Sequence, residues 1–156
     1  MTAAARALVA AGVAPGDRVA LWAPNSPEWI VAALGITTAG AVLVPVNTRF
    51  KGAEAGYVLA RSRARVLCTV RGFLDVDYPA LLAEAGVDLP DTTVLLSGPG
   101  GPDAVAWDDF LAGGEAVPVA EIDARVAALG PDDPSDVVYT SGTTGNPKGV
   151  VMRHGQ

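Results

Sequence analysis

Apolar residues in this chain fall into two kinds of run. Four are short and nearly continuous: RVALWA (18–23), AVLVPV (41–46), RVLCTV (65–70) and TTVLLS (92–97). Runs of that length and continuity are expected of strands buried on both faces, as in parallel sheets. Helix-length stretches separate them. Residues 2–12 predict a helix ended by Gly12, followed by a turn over Val13 to Asp17 that contains Pro15-Gly16. Ser26 is placed to cap the next helix, with Pro27 at its first position and Glu28 at the positive end of its dipole. That helix, PEWIVAALGITTA, is apolar almost all the way round, which predicts burial on more than one side before Gly40 stops it. Further helices are expected around 52–62 and 78–85, with a short one at WDDFLAG. The Gly/Pro/Asp-rich stretches 97–104 and 129–136 read as surface loops. Alternation of strand and helix predicts an α/β fold with a mainly parallel sheet, flanking helices and right-handed crossovers, in one unit without an internal boundary.

Composition narrows the partners. Of 156 residues, 50% are hydrophobic and 18% charged, a globular balance. The formal net charge of −6 argues against nucleic acid or an anionic membrane as the main partner, so any anion site must be local. The single cysteine, Cys68, lies in a strand-like run and is expected to be a buried thiol rather than a reactive one. No run approaches the roughly 18 apolar residues of a membrane span, and Arg6 interrupts the apolar start. These features predict a soluble, cytoplasmic protein.

The chemistry is concentrated in DVVYTSGTTGNPKG (136–149), a strand that runs into a loop. Thr140, Ser141, Thr143 and Thr144 offer hydroxyls. Gly142, Gly145 and Gly149 allow close backbone approach or positive φ, and Lys148 adds a cation. Many small donors with a cation at the rim suit a polyphosphate. A Walker A loop is excluded, because Pro147 stands where its second glycine belongs and Gly149 follows the lysine. The dinucleotide fingerprint fails at Asp103, one His with one Cys makes no zinc site, and Ser141 is not in a nucleophile elbow.

Residues 140–149 do match, at every fixed position, the T-S-G-T-T-G-x-P-K-G loop of the adenylate-forming (AMP-binding) superfamily, with His154 where those proteins commonly carry a histidine. The region GDRVALWAPNSPEWIVAALGITTAGAVLVPVNTRF (16–50) also resembles that family, and Asn47 is more like its acyl-CoA synthetase branch. The stretch 48–67 resembles ligases that activate propanoate side chains of degraded steroids. The resemblance implies that the chain is part of the family's large N-terminal domain. It also implies ATP, Mg2+ and coenzyme A as cofactors and a carboxylic acid as substrate. The acid reacts with ATP to give an acyl-adenylate and pyrophosphate, and the thiol of coenzyme A then displaces AMP. Thr140, Ser141, Gly142, Thr143, Thr144, Gly145, Lys148 and Gly149 are implied to bind the ATP phosphates, with His154 near the ligand. Trp22, Trp29 and Trp107 are expected to be packing residues, and Asn25 and Arg49 turn and surface residues.

Members of the family are several-fold longer. The resemblance implies that 1–156 is a partial AMP-binding domain ending just after the phosphate loop, with an N-terminal helix that begins late. The adenine-stacking aromatic, the Mg2+-holding Thr-Glu pair, the ribose-binding aspartate, the acyl pocket and the domain with the catalytic lysine are expected elsewhere. The isolated chain is therefore expected to be inactive and to self-associate through exposed apolar surface. The alternative is a non-catalytic module that pairs with a separately encoded remainder.

Overall fold

The computed structural model describes residues 1–140 and 147–156. In chain order the elements are α1 (Thr2–Ala10), β1 (Arg18–Trp22), α2 (Pro27–Thr38), β2 (Val42–Pro45), α3 (Gly52–Ser62), β3 (Val66–Thr69), α4 (Tyr78–Glu84) and β4 (Thr92–Leu95). They continue with β5 (Val105–Ala106), α5 (Trp107–Gly113), α6 (Val119–Ala128), β6 (Pro134–Thr140) and β7 (Lys148–Arg153). The seven strands form one sheet in the order β5-β4-β3-β1-β2-β6-β7. Every neighbouring pair is parallel except β6 and β7, which are antiparallel.

The local reasons are those of the sequence. Ser26 Oγ accepts a hydrogen bond from the Trp29 N–H at 3.1 Å, with Pro27 and Glu28 in the first turn of α2. Gly12 and Gly40 take positive φ (80° and 77°) just after α1 and α2, a conformation cheap only for glycine. The central strands β1 and β3 are buried from Val19 to Trp22 and from Val66 to Thr69. Because β2 and β3 flank β1 on opposite sides, right-handed crossovers send α2 and α3 to opposite faces of the sheet. On one face α1 packs on α2, α5 and α6; on the other α3 packs on α4. Glycine allows the closest of these contacts. A Cβ on Gly35 of α2 would lie 2.5 Å from the Ala4 Cβ of α1, and one on Gly52 of α3 would collide with the Leu81 carbonyl of α4.

Helix α2 packs on the sheet, on α1 and on α6, the burial on more than one side expected of it, although Ile30 and Leu34, one turn apart, are 56% and 48% exposed. Two expectations are corrected. The loop expected over 129–136 gives up its last three residues to β6, which begins at Pro134 with a register irregularity. A proline is tolerated at the first residue of a strand, where no ladder donor is needed. Helix α6 lies in a stretch where no helix was expected; Ile122 is its only described buried residue, so its apolar signal is weak. The chain after residue 147 forms β7 and then a turn at His154-Gly155.

Candidate phosphate-binding site

The hairpin of β6 and β7 carries the candidate site. Thr140 ends β6 and Lys148 begins β7, and the two are register partners; Tyr139 pairs with Gly149 one step further from the mouth. Directly opposed residues project to the same face of a sheet, so an exposed hydroxyl and an exposed ammonium stand side by side at the hairpin mouth. Ser141, Gly142, Thr143, Thr144 and Gly145 lie outside the described residues.

Of the two uses expected of Gly149, close backbone approach and positive φ, it does not take positive φ. A Cβ there would sit 3.0 Å from Val137 Cγ1 and 3.2 Å from Tyr139 Cζ, so the missing side chain makes room for the Tyr139 ring to cross β7. His154 lies in an exposed turn at the opposite end of the hairpin, where its N–H donates to the Asp133 carbonyl at 3.1 Å. Six strand residues beyond Lys148 correspond to about 20 Å. The structure thus brings Thr140, Lys148 and Gly149 together and sets His154 apart.

Below the mouth, the hairpin face and α3 enclose a cleft of about 680 Å3 lined by Arg18, Tyr57, Arg61, Tyr139 and Lys148, among others. None of its described lining residues is acidic. Three cations without a carboxylate give this corner the local positive potential that an anion site needs in a chain of net charge −6. Desolvation raises the Tyr139 phenol above its ordinary pKa, while the positive charge of Arg61 pulls the other way. Arg18 Nε is held by the Ser62 carbonyl at 2.7 Å, fixing one cation against the end of α3. Sequence reasoning missed Arg18, Tyr57, Arg61 and Tyr139, since they come from three separate elements and only Tyr139 adjoins the motif.

The remaining expected residues are packing or surface groups. Trp22 is fully buried, Trp29 and Trp107 are partly buried against the core, and Asn25 and Arg49 are exposed. Cys68 is buried, and desolvation pushes its thiol up to about 12. Among the described residues there is no group of three or more His, Cys, Asp or Glu able to hold a metal ion, and no helix long and apolar enough to cross a membrane.

Known proteins are similar to this chain in sequence and in fold. The family model described as "AMP-binding enzyme" matches residues 1–156. A 3-[(3aS,4S,7aS)-7a-methyl-1,5-dioxo-octahydro-1H-inden-4-yl]propanoyl:CoA ligase of Rhodococcus jostii is 48% identical over 97% of this chain and 30% of its own length. The ligase of the same name from Mycobacterium tuberculosis is 46% identical over 98% of this chain and 30% of its own. Among solved structures, the anthranilate CoA ligase AuaEII in complex with anthranoyl-AMP superposes with a TM-score of 0.73 at 27% identity, over 98% of this chain and 29% of that one. The chain therefore spans about 30% of the length of these curated relatives. Matched by the family model along its whole length and by acyl-CoA ligases in both sequence and fold, the chain belongs to the AMP-binding enzyme family.

Proposed function

We propose that this chain is the phosphate-loop-bearing part of an ATP-dependent acid–thiol ligase of the acyl-CoA synthetase branch, a partial N-terminal AMP-binding domain over 1–156. The observation that carries the reading is the 48% identity, over nearly the whole chain, to a propanoyl:CoA ligase. The proposed substrate is a carboxylic acid with a fused-ring or similarly bulky apolar body on a propanoate arm, and the proposed setting is the cytoplasm.

The hairpin mouth fits a polyphosphate: Thr140 offers a hydroxyl, Lys148 a cation, and Arg18 and Arg61 add charge behind them. ATP supplies a leaving group that a free carboxylate lacks, with Mg2+ sharing the phosphate charge and coenzyme A supplying the thiol. In the proposed role, Thr140, Ser141, Thr143 and Thr144 donate to phosphate oxygens, with Gly142 and Gly145 leaving the backbone open to them. Lys148 stabilises the charge that develops on departing pyrophosphate. Holding the phosphates also lines up the α-phosphorus with the incoming carboxylate.

The reading is tested in the full-length protein that carries this segment. Acid-dependent release of pyrophosphate and AMP is expected with the fused-ring propanoate, and more slowly with straight-chain acids. No acid-dependent release from any carboxylate would overturn it.

A second reading, a non-catalytic module that pairs with a separately encoded remainder, is favoured by one bare face of the hairpin. Val138 and Val150 are cross-strand partners exposed on that face, while Val151, on the other, lines the cationic cleft. Parallel α/β sheets are normally covered on both sides. A full-length reading frame with ligase activity rules against this second reading.

A further inference from the structure

The sheet has a topological switch between β1 and β3, because the chain leaves β1 toward β2 and returns across it to β3. In open α/β sheets, ligands settle outside the carboxyl ends of the strands at such a point. Here the crevice itself is plugged by Trp22 and Tyr78, which stack on each other. Beside the plug, the loops that leave β2 and β3 frame an open cleft of about 820 Å3, within the usual size of a small-molecule site.

Its wall is mainly apolar, from Phe50, Phe73, Val76, Tyr78 and Leu81, with Arg49 and Lys51 on one rim. Glu84 is the one acid among its described lining residues. Of the acids close by, Glu54 accepts from the Lys51 N–H at 2.9 Å and Asp77 accepts from Arg71 and from the Ala80 N–H, while Asp75 is exposed in the facing turn, across the cleft from Arg49 and Lys51. The facing rim is a tight turn, with Phe73 bridged to Val76, whose two central residues, Leu74 and Asp75, have φ of 52° and 60°. Such a turn favours Asn-Gly, and a leucine there is strained. Leu74 is nonetheless 78% exposed at the lip of the cleft, where burial in this chain gives nothing back for the strain. Strain held at an exposed apolar residue on the lip of a cleft points to a ligand that covers it.

We infer that this cleft binds a small amphipathic carboxylate, its apolar body against Phe50, Phe73 and Leu74 and its carboxylate toward Arg49 and Lys51. The site shares no lining residue with the cationic cleft beneath the phosphate loop. It stands on the cleft's own geometry and does not depend on the ligase reading.

The test is direct binding of decanoate to the full-length protein, by calorimetry, without ATP or coenzyme A, so that loss of ligase activity cannot mask the result. Leu74→Asp and Arg49→Glu alter exposed side chains; the first is expected to hold or raise the thermal melt, since aspartate tolerates positive φ better than leucine, and the second to leave it in place. Each is expected to weaken decanoate binding by at least about fivefold, the scale of losing one apolar contact or reversing one charge. Decanol is expected to bind more weakly than decanoate. Unchanged affinity in both variants overturns the site, and equal affinity for decanol overturns the carboxylate's part in it. Failure to bind decanoate, with Leu74-dependent sedimentation on phosphatidylglycerol vesicles, would make the lip a membrane contact and overturn the proposal.

Discussion

The indole of Trp22 stacks on the phenol ring of Tyr78, with centroids 4.3 Å apart and planes inclined by 14°. Trp22 closes β1 and Tyr78 opens α4, and both reach for the same short loop. Trp22 Nε1–H donates to the Asn47 carbonyl at 3.0 Å, and the Tyr78 hydroxyl donates to the Thr48 carbonyl at 3.1 Å. The pair therefore ties together three chain segments at the carboxyl end of the sheet. Trp22→Ala is expected to lower stability by about 3–5 kcal/mol, the scale of a large aromatic lost from a core. Tyr78→Phe keeps the stack and loses one hydrogen bond, at about 1 kcal/mol. Urea denaturation of both variants checks the ranking; equal losses would mean that the stack is not what matters.

Gly35 sets the distance between α1 and α2. With a Cβ 2.5 Å from that of Ala4, Gly35→Ala must push the helices apart, and a loss of about 1–3 kcal/mol is expected. A Cβ on Gly113, at the end of α5, would meet open space. Gly113→Ala should be neutral or stabilising by up to about 1 kcal/mol. The thermal melt should therefore fall for Gly35→Ala and hold or rise for Gly113→Ala.

Alkaline stability has a definite sign. The Cys68 thiol is raised to about 12 in the folded state, so between its ordinary value and that point the unfolded chain has lost a proton that the folded chain keeps. The stability owed to this group is complete below about pH 9 and falls by about 1.4 kcal/mol per pH unit above it. Tyr78, raised by desolvation, adds to the same fall from its own higher starting point. Cys68→Ala is expected to flatten the limb just above pH 9, as read by urea midpoints across pH.

Arg125 on α6 reaches back across two helix ends. Its Nη1 donates to the carbonyls of Val13 and Ala39 at 2.8 and 3.1 Å, filling acceptors left open after α1 and α2. Arg125→Met keeps the stem and removes both bonds, with an expected loss of about 2–3 kcal/mol. Its other partner, Glu121, is a half-exposed i,i+4 contact at 3.0 Å, so Glu121→Gln should cost under about 0.5 kcal/mol. Similar losses in the two variants would assign the brace to the ion pair instead.

In the full-length protein, Lys148→Ala is expected to slow acid-dependent pyrophosphate release by about 10- to 1,000-fold, the scale of removing one group that stabilises developing charge. His154→Ala, at the far end of the hairpin, should leave the rate unchanged. Wild-type turnover in the lysine variant would remove Lys148 from its proposed role.

Where local sequence decides structure, the sequence was legible. Strands β1 to β4 are apolar enough to announce themselves, and α2 is marked by the Ser26 cap and the Gly40 stop. What escaped depends on distant partners. β7 is a strand only because β6 lies beside it, and the two-residue β5 only because β4 does. That Ile30 and Leu34 of α2 are exposed was not readable, because composition reports how apolar a helix is, not whether anything covers it. The motif was readable as a string, yet the cations behind it were not, because Arg18 and Arg61 reach the same cleft from β1 and α3.

The pairing of Thr140 with Lys148 has one more consequence. The ends of the intervening segment are already joined by the hairpin ladder, so the entropy of closing it is met during folding rather than at the moment a ligand arrives. For a span of this length that closure amounts to about 2 kcal/mol, a cost that grows only slowly with added residues. Insertions in the segment should therefore weaken nucleotide binding far less than a break in the β6–β7 ladder, which would return the whole closure entropy to the binding step.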